Sequence, residues 1–93
     1  MNLEKSKKRI AKKVKMGNQG YPRLTIEYYG PDQNLANEVS ISFLLEEGAT
    51  VQVEKFQTKT DARNEEIIQS TIVKMIERSG AKTVFENTKN ILL

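Results

Sequence analysis

The sequence predicts a single α+β domain with an antiparallel sheet and helices packed on one face of that sheet. Two stretches show the apolar period of a helix, three show the alternation of a strand, and turn residues separate them. A chain of 93 residues is one domain by length. The predicted order over residues 1–93 is α-β-β-β-α with a fourth strand, and residues 1–19 form a basic N-terminal helix or arm.

The first predicted helix covers residues 3–16. Leu3, Ile10 and Val14 fall on one side of it. Gly17 follows as a left-handed cap, and lysines near the last turn suit the negative end of the helix dipole. The apolar stripe is narrow and neighbouring cations repel one another at i,i+4, so the isolated helix should fray.

Three predicted strands follow, at residues 23–29, 38–45 and 50–57, each with a two-residue alternation. Phe56 has the opposite parity from the other apolar residues of the third strand, which indicates a bulge or the start of the exit loop. Ser40 and Ser42 are expected to face outward. The residues expected to face the core are Leu24, Ile26, Tyr28, Val39, Ile41, Phe43, Leu45, Val51 and Val53.

The second predicted helix covers residues 61–79, with Thr60 or Asp61 as its N-cap and Gly80 after its last turn. A last strand over residues 82–86 would lie parallel to a neighbour after a helical crossover. The chain ends on three aliphatic residues, Ile91–Leu93, which are expected to pack on the sheet or on a second copy.

The composition argues against catalysis. The chain has no His and no Cys, so the commonest general base, the thiolate nucleophile and the soft metal ligands are absent. A carboxylate mechanism would need Glu27 or Glu54 beside another acid in a deep cleft. We therefore predict a non-enzymatic protein with no catalytic, cofactor-binding or metal-binding residue, no cofactor and no small-molecule substrate.

Charge is the one positive functional signal. Residues 1–23 hold eight Lys and Arg against one acid, whereas residues 24–93 hold seven against eleven acids. Such a cationic segment neutralises phosphates and releases counterions, which predicts contact with nucleic acid or another polyanion. The aromatic ring of a tyrosine near it would offer a stacking face. The candidate contact residues are Lys7, Lys8, Arg9, Lys12, Lys13, Lys15, Arg23 and Tyr29.

Two alternatives stay open at this point. The basic helix is equally consistent with a solvated face that rests on acidic side chains of its own body or of a second subunit. Phe56, Phe85 and the aliphatic end of the chain also suit a protein–protein adaptor or assembly module that forms a homodimer. The N-terminal residues lack the apolar segment of a secretory signal, and no run is long enough to span a bilayer. We expect a cytoplasmic protein with no membrane contact.

The run GYPRLTIEYYGPDQNLANEV at residues 20–39 is followed by EEGA at residues 46–49 and TDAR at residues 60–63. Together these stretches resemble a family of small uncharacterised bacterial proteins, whose members have a GYP…T..YYG…LA..V pattern after a similar basic start. The resemblance covers most of the chain and implies a bacterial protein with a single domain. It implies no activity and transfers no functional residue.

Overall fold

The computed structural model describes residues 2–31 and 35–90 and shows a small α+β domain, as the sequence predicts. Two helices and four strands form it, with one short 3₁₀ turn ahead of the second helix. In chain order the elements are α1 (Leu3–Lys15), β1 (Arg23–Gly30), β2 (Glu38–Leu44), β3 (Gln52–Gln57), the 3₁₀ turn (Ala62–Asn64), α2 (Glu66–Ser79) and β4 (Thr83–Asn90).

The four strands form one sheet in the order β3-β2-β1-β4. β1 pairs antiparallel with β2 and parallel with β4, so the predicted antiparallel sheet is antiparallel from β1 to β3 and becomes mixed where β4 joins it. The cause is the connection through α2. A strand–helix–strand crossover returns the chain in the direction in which it left the sheet. β3 and β4 therefore both run parallel to β1, and the prediction of a parallel last strand is confirmed.

The core lies between the helices and one face of the sheet. The alternation of β1 is observed as predicted, with Leu24, Ile26 and Tyr28 each at most 1 % exposed. Burial of aliphatic side chains from both layers supplies the main stabilisation. The buried apolar residues are Ile10, Leu24, Ile26, Tyr28, Ala36, Val39, Ile41, Ala62, Ile72, Val73, Ile76, Ala81 and Val84.

The third strand has the opposite parity from the one predicted. Val39 pairs with Phe56, so Phe56 points toward the helices and packs against the core. Val51 and Val53 are each 51 % exposed on the other side. Because side chains alternate with a period of two, the seven-residue connection after β2 decides which set is buried. Leu45, also predicted to face the core, is 57 % exposed because β2 ends one residue before it.

The second helix begins later than predicted, at Glu66. The Asp61 carboxylate accepts a hydrogen bond from the backbone N–H of Arg63 at 3.0 Å and so caps the 3₁₀ turn. The backbone N–H of Ala62 donates to the carbonyl of Ala36 at 2.6 Å. This long-range bond ties the turn to the chain ahead of β2, so the segment does not join the helix.

One buried hydroxyl fixes the connection between α1 and β1. Thr83 is fully buried at the start of β4. Its Oγ1 accepts a hydrogen bond from the backbone N–H of Gln19 and donates one to the carbonyl of Gly20, both at 2.7 Å. The strand that Thr83 begins extends to Asn90, beyond the predicted end. Ile91–Leu93, for which we predict packing, lie outside the described residues.

Candidate functional site

Four lysines share the exposed side of α1. Ser6 and Ile10 are buried against the body of the protein, and spacings of three and four residues put a second set on the opposite side of the helix. We call this set the lysine face. It spans roughly 15 Å at 1.5 Å per residue. Within residues 2–31 and 35–90 none of its ammonium groups forms an ion pair. Its members are Lys5, Lys8, Lys12 and Lys15, all exposed.

The other cations of the predicted patch turn toward α2. The Arg9 Nη1 lies 3.0 Å from the Glu77 Oε1, in an ion pair whose side chains are both more than half exposed. The Lys7 Nζ donates to the Asn64 Oδ1 at 3.0 Å. Lys13 is partly buried and lines a groove between the two helices, and the exposed Lys12 lies at the edge of the same groove. The run of five cations therefore divides into an outward set and a set that contacts the body.

Arg23 and Tyr29 lie on the other face of the sheet. Both belong to β1 and alternate with its buried residues. The guanidinium carbon of Arg23 lies 5.2 Å from the ring centre of Tyr21 and 5.8 Å from that of Phe85. These separations are typical of cation–π contacts. The sheet separates both residues from the lysine face, so the structure does not bring the eight predicted contact residues onto one surface.

A cleft of about 540 Å³ opens beside the lysine face, between α1, β1, β4 and the start of α2. Its floor is a buried polar pair. Tyr28 and Gln69 are 1 % and 2 % exposed. The Gln69 Nε2 donates to the Tyr28 hydroxyl at 2.9 Å and to the carbonyl of Ala62 at 3.0 Å. Burial raises the pKa of the Tyr28 hydroxyl to about 12, because the charged phenolate would lose its hydration.

One wall of the cleft is an ion pair between neighbours on the 3₁₀ turn. Arg63 donates from Nε and Nη2 to the two carboxylate oxygens of Asp61, at 2.9 and 2.7 Å. These hydrogen bonds lower the pKa of the Asp61 carboxyl and raise the pKa of the Arg63 guanidinium. Each partner therefore largely neutralises the other.

The remaining walls carry charges that are less well compensated. Lys7 and Lys8 line the cleft from α1, and Glu86 lines it from β4. Partial burial raises the pKa of the Glu86 carboxyl, and the charges of Arg63 and Lys7 oppose this rise. Lys8 belongs both to the cleft and to the lysine face, so the two sites adjoin.

Sequence reasoning missed this cleft, although two signals point to it. Gln69 is a polar residue on the apolar side of α2, beside Ile72 and Ile76. Glu86 has the parity of the buried Val84, so the alternation of β4 directs a carboxylate toward the helices. A polar residue at a core position needs a hydrogen-bonding partner or a solvent-filled space. Here the space is the cleft.

Asp61 and Glu86 are the two acids that line this cleft, whereas Glu54 is exposed on β3. Across the described ranges no group of three or more acidic side chains is placed to hold a metal ion. In the same part of the chain, neither helix has the length and apolar character needed to cross a bilayer.

Comparison of the chain with models of protein families, with curated proteins and with solved structures found no match.

Proposed function

We propose that this protein is a non-enzymatic domain that binds nucleic acid or another polyanion through its lysine face. One observation carries the proposal: Lys5, Lys8, Lys12 and Lys15 form no ion pair within the described residues and project from one side of α1. Four ammonium groups without a counter-charge attract phosphates and gain free energy from the counterions that binding releases.

The expected mode of binding is independent of sequence. Lysine is a flexible point charge that contacts phosphates, whereas sequence is read by contacts to base edges. Two nearby aromatic residues, Tyr21 ahead of β1 and Tyr29 within it, lie on the far side of the sheet and do not extend this surface. We therefore expect similar affinity for DNA and RNA of mixed sequence.

Salt dependence is the decisive measurement. Fluorescence anisotropy with labelled single-stranded and duplex oligonucleotides would give the binding constant between 50 and 200 mM salt, roughly the range over which phosphate contacts show their effect. Four phosphate contacts predict a slope of log K against log salt of about −3.6 for duplex DNA and about −2.8 for single strands. Replacing Lys5, Lys12 and Lys15 by Gln should reduce the magnitude of this slope by about three.

A control variant distinguishes the effect of the lysine face on binding from the effect of the net charge of the protein. Lys59, Lys74 and Lys82 are exposed elsewhere on the protein, and replacing all three by Gln removes the same net charge. This control should keep the slope of the unmodified protein. Equal losses in the two triple variants, or no binding at low salt, would show that the lysine face is not a binding site.

A second candidate function is assembly with a second copy of the chain. Leu45, Val51 and Val53 are each more than half exposed at the β2–β3 hairpin, and β3 is an edge strand with one unpaired side. Sedimentation should then depend on protein concentration, and replacing Val51 and Val53 by Thr should weaken the association. A monomer at every concentration would exclude this candidate.

A further inference from the structure

The floor of the cleft holds hydrogen-bonding groups that the fold does not use. The Tyr28 hydroxyl accepts a bond from Gln69, and its own proton has no acceptor within residues 2–31 and 35–90. The Gln69 side chain donates through Nε2 to two acceptors, while its Oε1 receives no hydrogen bond from the described part of the chain. One donor and one acceptor are thus left over beside the cleft, on side chains that are otherwise buried in the core.

The walls of the cleft carry charged groups that are also only partly paired. Lys7 uses one of its three donors on the neutral amide of Asn64. The side chains of Lys8 and Glu86 make no hydrogen bond with any other described residue. The pKa of Glu86 stays raised although two cations lie nearby, so its carboxylate is an acceptor that the fold does not fully compensate. The Asp61–Arg63 pair cancels, which leaves two ammonium groups and one carboxylate around the opening.

We infer that the cleft binds a small organic anion that also carries hydroxyl or amino donors. Its carboxylate or phosphate lies at Lys7 and Lys8, its donors reach Glu86 and the Oε1 of Gln69, and one of its oxygens accepts the proton of the Tyr28 hydroxyl. The two ammonium groups outnumber the single carboxylate, so the cleft favours an anion. The volume of about 540 Å³ lies in the range of small-molecule sites. This binding is separate from that of the lysine face, and it needs groups that a polyanion contact does not use.

A set of related sugars tests each requirement. Gluconate and glucose 6-phosphate carry an anion and several hydroxyls, glucose carries only the hydroxyls, and inorganic phosphate carries only the anion. In ¹H–¹⁵N correlation spectra the two anionic sugars should shift the side-chain amide of Gln69 and the backbone amides of Asn64 and Glu86. Glucose and phosphate should bind at least tenfold more weakly. If one anionic sugar binds and the other does not, the site exists and prefers that anion.

Two variants locate the binding. Tyr28→Phe keeps the ring in the core and removes the unused donor, whereas Glu86→Gln changes an exposed position on the rim. Each should weaken binding of the better anionic sugar about fivefold to tenfold. Glu54→Gln, which changes an exposed carboxylate on β3, is the control and should bind like the unmodified protein. The Glu86 variant keeps the test decisive if Tyr28→Phe unfolds.

The inference fails if neither anionic sugar shifts the cleft resonances at millimolar concentration, or if glucose binds as well as gluconate. It also fails if the shifts follow the lysine face instead of the cleft. The outcome is independent of nucleic-acid binding, because replacing Lys12 and Lys15 by Gln removes phosphate contacts on the lysine face and leaves the cleft intact. Lys8 serves neither test, since it lies in both sites.

Discussion

At the scale of single residues, buried polar atoms decide where this small core is weak. Ser6 lies fully buried on the inner side of α1, and its Oγ finds no hydrogen-bond partner within the described residues. An unpaired buried hydroxyl has lost its hydration without compensation. Tyr28 shows the contrasting case, because its hydroxyl has Gln69 as a partner and is stable only while it stays neutral.

Replacing Ser6 by Ala should stabilise the protein by about 1 kcal/mol, because it removes the unpaired hydroxyl and improves helix propensity. The melting temperature should rise by about 4–8 °C for a domain of this size. The control is Ser70→Ala, in which the lost Oγ is partly exposed and bonded to the carbonyl of Ile67 at 3.1 Å. An equal gain in both variants would assign the effect to helix propensity alone.

Alkaline unfolding should report on Tyr28. Its pKa is about 12 in the folded protein and 10.0 in the reference state. The folded state therefore holds the phenolic proton more tightly, and this advantage is complete below pH 10 and disappears as the pH rises toward 12. The free energy of unfolding should fall by roughly 2–3 kcal/mol over this interval.

Urea denaturation of the unmodified protein and of Tyr28→Phe, measured in steps of pH, isolates this effect. The variant lacks the ionisable group, so its stability should decline less steeply above pH 10. Parallel curves for the two proteins would contradict the assignment.

At the scale of elements, the strength of the local pattern determines how much the sequence could predict. β1 alternates without interruption, and its prediction is confirmed because one face meets the helices along its whole length. β3 is an edge strand whose parity depends on the pairing of Val39 with Phe56. The start of α2 depends on hydrogen bonds from residues distant in the chain, such as Ala36. The cleft combines four elements, so it appears only once the sheet order is known.

The end of β1 offers a test of close packing between elements. A Cβ atom added at Gly30 would collide with the backbone carbonyl of Leu35. Backbone cannot move aside as a flexible side chain can, so Gly30→Ala should cost several kcal/mol, well above the ~1 kcal/mol of an ordinary glycine substitution. Thermal denaturation would measure this loss.

Gly48→Ala is the comparison variant. Gly48 has a φ of 84° and no neighbouring atom within 4 Å of the added Cβ. Its substitution therefore adds conformational strain without a collision, and it should cost about 1 kcal/mol. If Gly30→Ala lowered the stability no more than this control, the backbone at Leu35 would have to move aside at little cost in free energy.

At the scale of the whole molecule, charge is segregated, with one acid among the first 23 residues and eleven in the remainder. Among the described residues, an acid of the body forms an ion pair with the basic helix through Glu77, which contacts Arg9. Both side chains are more than half exposed, and exposed ion pairs contribute only about 0–1 kcal/mol. This contact therefore limits the positive potential of α1 more than it stabilises the fold.

Glu77→Gln should consequently strengthen oligonucleotide binding while stability stays nearly constant. Freeing Arg9 adds one cation next to the lysine face, so the salt slope should become steeper by up to one. Glu66→Gln, at the opposite end of α2, is the matched control for charge and should change neither slope nor affinity appreciably. Weaker binding by Glu77→Gln would mean that the ion pair orients Arg9 productively.

The parallel pairing of β4 with β1 also determines when the domain can fold during its synthesis. Arg23 pairs with Thr83 and Leu24 with Val84. One of the two strands that pair with β1 is therefore synthesised about sixty residues after it. The helix α1 precedes the sheet in the chain and packs on α2 and β4, which are both synthesised later than β1. The chain must therefore be synthesised through Asn90 before the four-stranded sheet can be completed. Until then, the lysines of α1 belong to a helix that has no folded domain to pack against.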